Sequence, residues 1–157
     1  MLIYELSPAE CIEVLSRAHV GRLACARDDQ PYIVPISFCF DGTDSLYGFS
    51  RVGQKIEWMR DNPKVCVEAD EIADRFHWSS IVVTGTYEEL GDSPEDDSEQ
   101  LKRALDLLQQ HSAWWLPGAG KLVDGETDPT SVVYRVRISS ISGRRTARPS
   151  MSPSVGA

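Results

Sequence analysis

Tyr32-Ile33-Val34-Pro35-Ile36-Ser37-Phe38-Cys39-Phe40 and Ser45-Leu46-Tyr47-Gly48-Phe49-Ser50 are two apolar runs separated by Asp41-Gly42-Thr43-Asp44. In the first run Tyr32, Val34, Ile36, Phe38 and Phe40 fall on one side, and Ile33, Pro35, Ser37 and Cys39 on the other. That is the two-residue period of a strand. Both sides are largely apolar, so both are expected to be covered. Pro35 has no N–H to give a ladder, which predicts a sheet edge or a bulge there. An edge would leave backbone groups free for a ligand. The Asp-Gly-Thr-Asp segment has turn chemistry, and the second run returns as an antiparallel partner.

The next residues, Arg51-Val52-Gly53-Gln54-Lys55-Ile56-Glu57-Trp58-Met59, change period. Ile56 and Met59 are three apart and Asn62-Pro63 is a stop, so a short helix begins after Gly53. A helix start presents unpaired N–H groups and a positive dipole end. Ser50, Arg51, Gln54 and Lys55 add a hydroxyl, an amide and two cations. This is the chemistry of a phosphate site, and the turn is read as the phosphate end of a nucleotide site.

Working outward, Ser7-Pro8-Ala9-Glu10 combines an N-cap, a first-turn proline and a capping box, with the helix expected to end near His19. Strands are predicted over 21–26, 32–40, 45–50, 64–72, 78–90 and 132–142. Gly85 marks a bulge or tight bend. The acidic run Asp92 to Glu99 leads into a helix striped by Leu101, Leu105 and Leu108. Trp114-Trp115-Leu116 follows as apolar cover, and 117–129 is a loop. Six strands with hairpin-length links and three inserted helices predict a mainly β, antiparallel barrel. One domain over 1–148 is expected, with 149–157 as a poorly ordered tail.

The 157 residues carry a net charge of −8, which argues against nucleic-acid or anionic-membrane binding. No apolar stretch approaches a membrane span, and the N-terminus lacks a signal-peptide pattern. Cys11, Cys25, Cys39 and Cys66 have no C-x-x-C spacing and read as reduced thiols of a cytoplasmic protein, with no metal site.

Seven segments occur in a recognisable order. They are Gly21-Arg22-Leu23-Ala24, Pro31 to Phe38, Leu46 to Ser50, Gly53-Gln54-Lys55-Ile56, Asn62-Pro63-Lys64-Val65, Trp78 to Gly85, and Ile141-Ser142-Gly143-Arg144. In this series the chain resembles the pyridoxamine 5′-phosphate oxidase-like, FMN-binding split-barrel superfamily, nearest its nitroimidazole-resistance branch. The resemblance implies a six-stranded split barrel, a homodimer, and FMN in a cleft between subunits. It places Pro35, Ile36 and Ser37 along the flavin ring. Phe49, Ser50, Gln54 and Lys55 fall at the phosphate and ribityl end. Trp78, Ser79 and Ser80 fall near the ring edge, with Arg144 reaching in from the C-terminus. Which subunit supplies each stays open. The fuller arginine and lysine set of the true pyridoxamine phosphate oxidases is not matched, so pyridoxamine phosphate is not the expected substrate. The implied function is a flavin-dependent oxidoreductase acting on a small molecule. The alternatives are a flavin- or haem-binding sensor, store or carrier, and a deazaflavin-dependent reductase. No catalytic residue is named, because the flavin carries the redox chemistry.

Overall fold

The computed structural model describes residues 1–91, 98–111 and 131–147. The elements, in chain order, are β1 (Leu2–Glu5), α1 (Pro8–Arg17), β2 (Val20–Arg27), β3 (Gln30–Ser37), β4 (Cys39–Phe40), β5 (Ser45–Arg51), α2 (Gln54–Asp61), β6 (Lys64–Asp74), β7 (His77–Leu90), α3 (Ser98–Gln110) and β8 (Ser131–Ala147). The sheet runs β3-β2-β6-β7-β8-β5-β4, with β1 on the far part of β8, and every pairing is antiparallel. β3 and β4 are consecutive in the chain yet lie at opposite ends of that order, so the barrel is split. The six long strands are those expected; β1 is a short addition, and β4 is the end of the strand expected over 32–40.

Local chemistry accounts for the joints. Asp28 and Asp29 both have positive φ, 51° and 62°, which gives β2 and β3 a two-residue hairpin whose twist suits the strands. The Asp41 carboxylate accepts from the backbone N–H groups of Thr43, Asp44 and Ser45 and shapes the β4–β5 turn. Ser7 caps α1 by accepting from the Glu10 N–H, and Glu10 accepts from the Ser7 N–H. The predicted strand over 32–40 breaks at Phe38, whose N–H donates to the His19 carbonyl at 3.0 Å and leaves the ladder. The register shifts between Thr84 and Gly85, as the glycine predicted, and a Cβ at Gly85 would strike the Arg137 carbonyl.

Leu15, Leu23, Ile56, Met59, Val83 and Val136 are among the side chains that fill the barrel. A second cluster, Cys39, Tyr47, Ala104, Leu108 and Val133, seats α3 against β5 and β8. All four cysteines are free thiols. Among the described residues no helix is long and apolar enough to cross a membrane. Trp114, Trp115, the 117–129 loop, most of the acidic run and the 149–157 tail lie outside the described residues.

One expectation is corrected. The second face of β3 is not covered within one chain: Pro31, Ile33 and Pro35 are exposed, Ile33 at 66%. The register continues this face across five strands. Ile33 lies opposite Ala24, then Cys66, Thr84 and Ser140, and Pro35 opposite Arg22, then Glu68, Val82 and Ser142. A groove of about 560 Å³ on it is lined by Ala24, Ala26, Pro31, Lys64, Cys66 and Thr84, among others.

Gly48 tests the packing. The Tyr134 ring lies where a Gly48 Cβ would sit, and Tyr134 is 2% exposed. Gly48→Ala is therefore expected to cost about 1–3 kcal/mol in urea unfolding, the usual penalty of overpacking. Combined with Tyr134→Leu, it should cost less than the sum of the two single changes. Strict additivity would show that the ring is not the obstacle.

Candidate functional site

The expected site residues fall into two groups. In the first, Phe49 and Ser50 end β5, and Gln54 and Lys55 open α2. Pro35, Ile36 and Ser37 lie on β3, the edge strand that the proline predicted, and β3 approaches β5 across the split. Pro35 is exposed, Ile36 is buried and Ser37 is half-buried, so that edge has an accessible backbone. The Phe49 ring packs against the α3 cluster, so Phe49 offers the cleft its backbone and not its ring.

The electrostatics of this group concentrate at α2. Its N-cap is Gly53, and no side chain caps the first N–H groups. Those donors are available to an anion, and the dipole favours one. Lys55, the second residue of the helix, is half-buried and forms no ion pair among the described residues. Burial alone lowers its pKa from the usual lysine value, because its charge loses water and gains no counter-charge. The Ser50 hydroxyl donates to the Arg51 carbonyl at 2.9 Å, leaving its oxygen free to accept. Gln54 is exposed beside Lys55.

The second group is at the far end of the sheet. Trp78, Ser79 and Ser80 open β7, and Arg144 lies opposite Ser80 on β8. The Trp78 N–H donates to the Thr146 hydroxyl, whose own proton goes to the Phe76 carbonyl, so the hairpin end is pinned. Ser79 leans on Glu71 at 3.5 Å. Arg144 is exposed and has no ion pair among the described residues, although Glu5 of β1 is its opposite on the other side. A cavity of about 480 Å³ here is lined by Glu5, Leu6, Ser80, Ser142 and Arg144, among others. β1 and Glu5 were missed at the sequence level. The apolar Leu2-Ile3-Tyr4 run was the available signal, but it is only a few residues long.

The two groups lie far apart along β8: Ser50 is opposite Val132 and Ser80 is opposite Arg144, twelve positions further on. At about 3.3 Å per residue that is a path of roughly 40 Å along the strand.

His77 is the first residue of β7. Its Nδ1 lies 2.9 Å from the Asp74 carboxylate across the tight β6–β7 turn, which accounts for it structurally. That contact, with the Phe76 N–H, holds the Asp74 carboxyl below the usual carboxylate range.

Comparison with known proteins places this geometry. Residues 7–145 match the family model described as pyridoxamine 5′-phosphate oxidase. An uncharacterized protein of Rhizobium meliloti is 42% identical over 146 residues, covering 92% of this chain and 95% of its own. The crystal structure of a protein described as FAD-binding, from Mesorhizobium loti, is 43% identical with a TM-score of 0.76, covering 94% of this chain and all of that one. A putative 5-nitroimidazole antibiotic resistance protein from Bacteroides thetaiotaomicron shares the fold, with a TM-score of 0.65 at 19% identity over 92% of this chain and 89% of its own. With an antiparallel split barrel and a family match over most of its length, the chain belongs to the pyridoxamine 5′-phosphate oxidase family.

Proposed function

We propose that this protein binds FMN in a cleft completed by a second copy of the chain and acts as a flavin-dependent oxidoreductase on a small molecule. The observation that carries the reading is Lys55: a half-buried cation without a counter-charge among the described residues, at an uncapped helix start. Folding leaves that charge to be met by something else, and a phosphate dianion meets both the ammonium and the free N–H groups. The β3 edge at Pro35 to Ser37 offers backbone groups to the polar edge of a flavin ring. Trp78, Ser80 and Arg144 of the second copy would close the other side. The exposed face over β3, β2, β6, β7 and β8 supports pairing of two copies, since it carries Pro31, Ile33, Pro35 and Val82 exposed beside the Arg22–Glu68 and Arg22–Asp70 ion pairs, and these apolar residues are better buried than wet.

When bound, the flavin supplies hydride and electron transfer. The chain supplies the anion site, the ring platform and exclusion of water.

The relative at 43% identity favours a second reading for the cofactor. It is described as FAD-binding, and FAD keeps the ribityl phosphate that Lys55 would hold while adding a second phosphate and adenosine. Mass analysis of the cofactor released from the purified full chain separates FMN from FAD, and a colourless protein that takes up neither refutes the flavin. Oxidation of reduced nicotinamide with an added acceptor tests the enzyme reading. A flavin-loaded protein with no turnover is instead a carrier or store. Light scattering is expected to give twice the chain mass, and a monomer would overturn the shared cleft.

A further inference from the structure

We infer that His19 and His111 form a binding site for a borderline divalent transition metal of the copper, nickel or zinc class, two imidazoles supplying ligands and water the rest of the shell. The chain has three histidines, and the fold brings two of them together from distant parts of the sequence. Their ring centroids are 5.7 Å apart and their planes are tilted by 40°. Two imidazoles that share one ion, each at a metal–nitrogen distance of about 2.0–2.1 Å, hold their centroids roughly 5–6 Å apart. The observed spacing lies inside that range.

The protonation pattern fits as well. The His111 Nδ1 is 2.9 Å from the Leu107 carbonyl. A carbonyl only accepts, so Nδ1 carries the proton, which leaves Nε2 as the nitrogen that can give its lone pair to a metal. Metal-ligating histidines are commonly oriented in this way, by giving the other N–H to a backbone carbonyl. His19 follows the C-cap of α1, and its backbone is held by the bond from the Phe38 N–H. Its ring nitrogens have no hydrogen-bond partner among the described residues. Both rings are exposed, so an ion can enter and keep its waters.

Cys39 does not extend the set. Its Sγ donates to the same Leu107 carbonyl at 3.7 Å, and burial raises the thiol to about 11, so it stays protonated. Among the described residues no group of three or more histidine, cysteine or carboxylate side chains is placed to hold a metal. The site is therefore open, with two protein ligands. Its structural effect would be a staple between the end of α1 and the end of α3, the helix held otherwise by the small Cys39–Tyr47–Leu108 cluster.

The test is calorimetric titration of the full, tag-free chain with Cu²⁺, Ni²⁺, Zn²⁺ and Mg²⁺ salts. One ion per chain is expected, Cu²⁺ tightest, with no Mg²⁺ binding, as the nitrogen ligands and the general stability order require. His19→Asn and His111→Asn should each weaken binding roughly 100-fold, because each removes one arm of a linked pair. His77→Asn should leave it unchanged. Hydrogen exchange at the C-terminal amides of α3 should slow with Zn²⁺ in the native chain and not in either variant. The inference is overturned by absence of binding, by binding that survives either substitution, or by loss on His77→Asn.

Discussion

Lys55→Ala is expected to weaken FMN binding by roughly 10- to 150-fold, the equivalent of one charge-assisted hydrogen bond of about 1.5–3 kcal/mol. Riboflavin, which has the ring and ribityl chain without the phosphate, should bind the variant as it binds the native protein. The reason is positional. Lys55 stands one residue inside α2, behind the uncapped Gly53, and its ammonium and the first N–H groups act on one anion. A solvated helix-start lysine would give no change with either ligand. Equal weakening of both would mean that Lys55 holds the fold, and the phosphate would then be sought elsewhere.

The same residue makes a stability prediction of opposite sign. Burial depresses the Lys55 pKa in the folded apo-protein. The native state therefore binds fewer protons than the unfolded chain between the depressed value and the free-lysine value, and apo stability rises with pH across that window. Below it the desolvation penalty is present in full. Lys55→Met should thus raise apo stability near neutral pH while weakening FMN binding, an exchange of function for stability. A fall in melting temperature would show that the ammonium is already satisfied in the apo-protein.

Local chemistry was readable from the residues alone. Ser7 and Glu10 announced their capping box, Gly85 its bulge, Pro35 an edge, and Gly53-Gln54-Lys55 an uncapped helix start. Each depends on neighbours within a few positions. What was not readable depends on distant pairing. β1 is four residues with no exposed–buried alternation, and it exists because Leu2 to Glu5 meet Arg144 to Ala147 at the other end of the chain. β8 runs on past Ser142 through Arg144 and Arg145 because β1 and β7 flank it there, although no apolar period marks that stretch. The site shows the same division. The expected site residues were named from a local helix-start motif and from the family resemblance, but the offset between the two groups follows from the β5–β8 and β7–β8 registers, which no local pattern encodes.

That separation yields a decisive prediction about assembly. If each cleft takes Ser50 and Lys55 from one chain and Ser80 and Arg144 from the other, damage to either group disables both clefts of a homodimer. Lys55→Ala and Arg144→Glu are each expected to weaken FMN binding, roughly 10- to 150-fold for the loss of one charge-assisted hydrogen bond, while leaving a folded dimer. Arg144 is exposed and unpaired among the described residues, so charge reversal there leaves the core untouched. In a mixed dimer the two defects fall in the same cleft, and the other cleft is assembled from native residues only. Unfolding and refolding equal amounts of the two variants should form mixed dimers for about half of the population, and restore about a quarter of all clefts, if exchange is random and the two-fold is closed. The restored clefts should bind with native affinity. If instead one chain built a whole site, the mixture would bind no better than the two variants apart. The twelve-position step along β8 from Val132 to Arg144 weighs against that outcome, because a strand path of roughly 40 Å lies between the two groups.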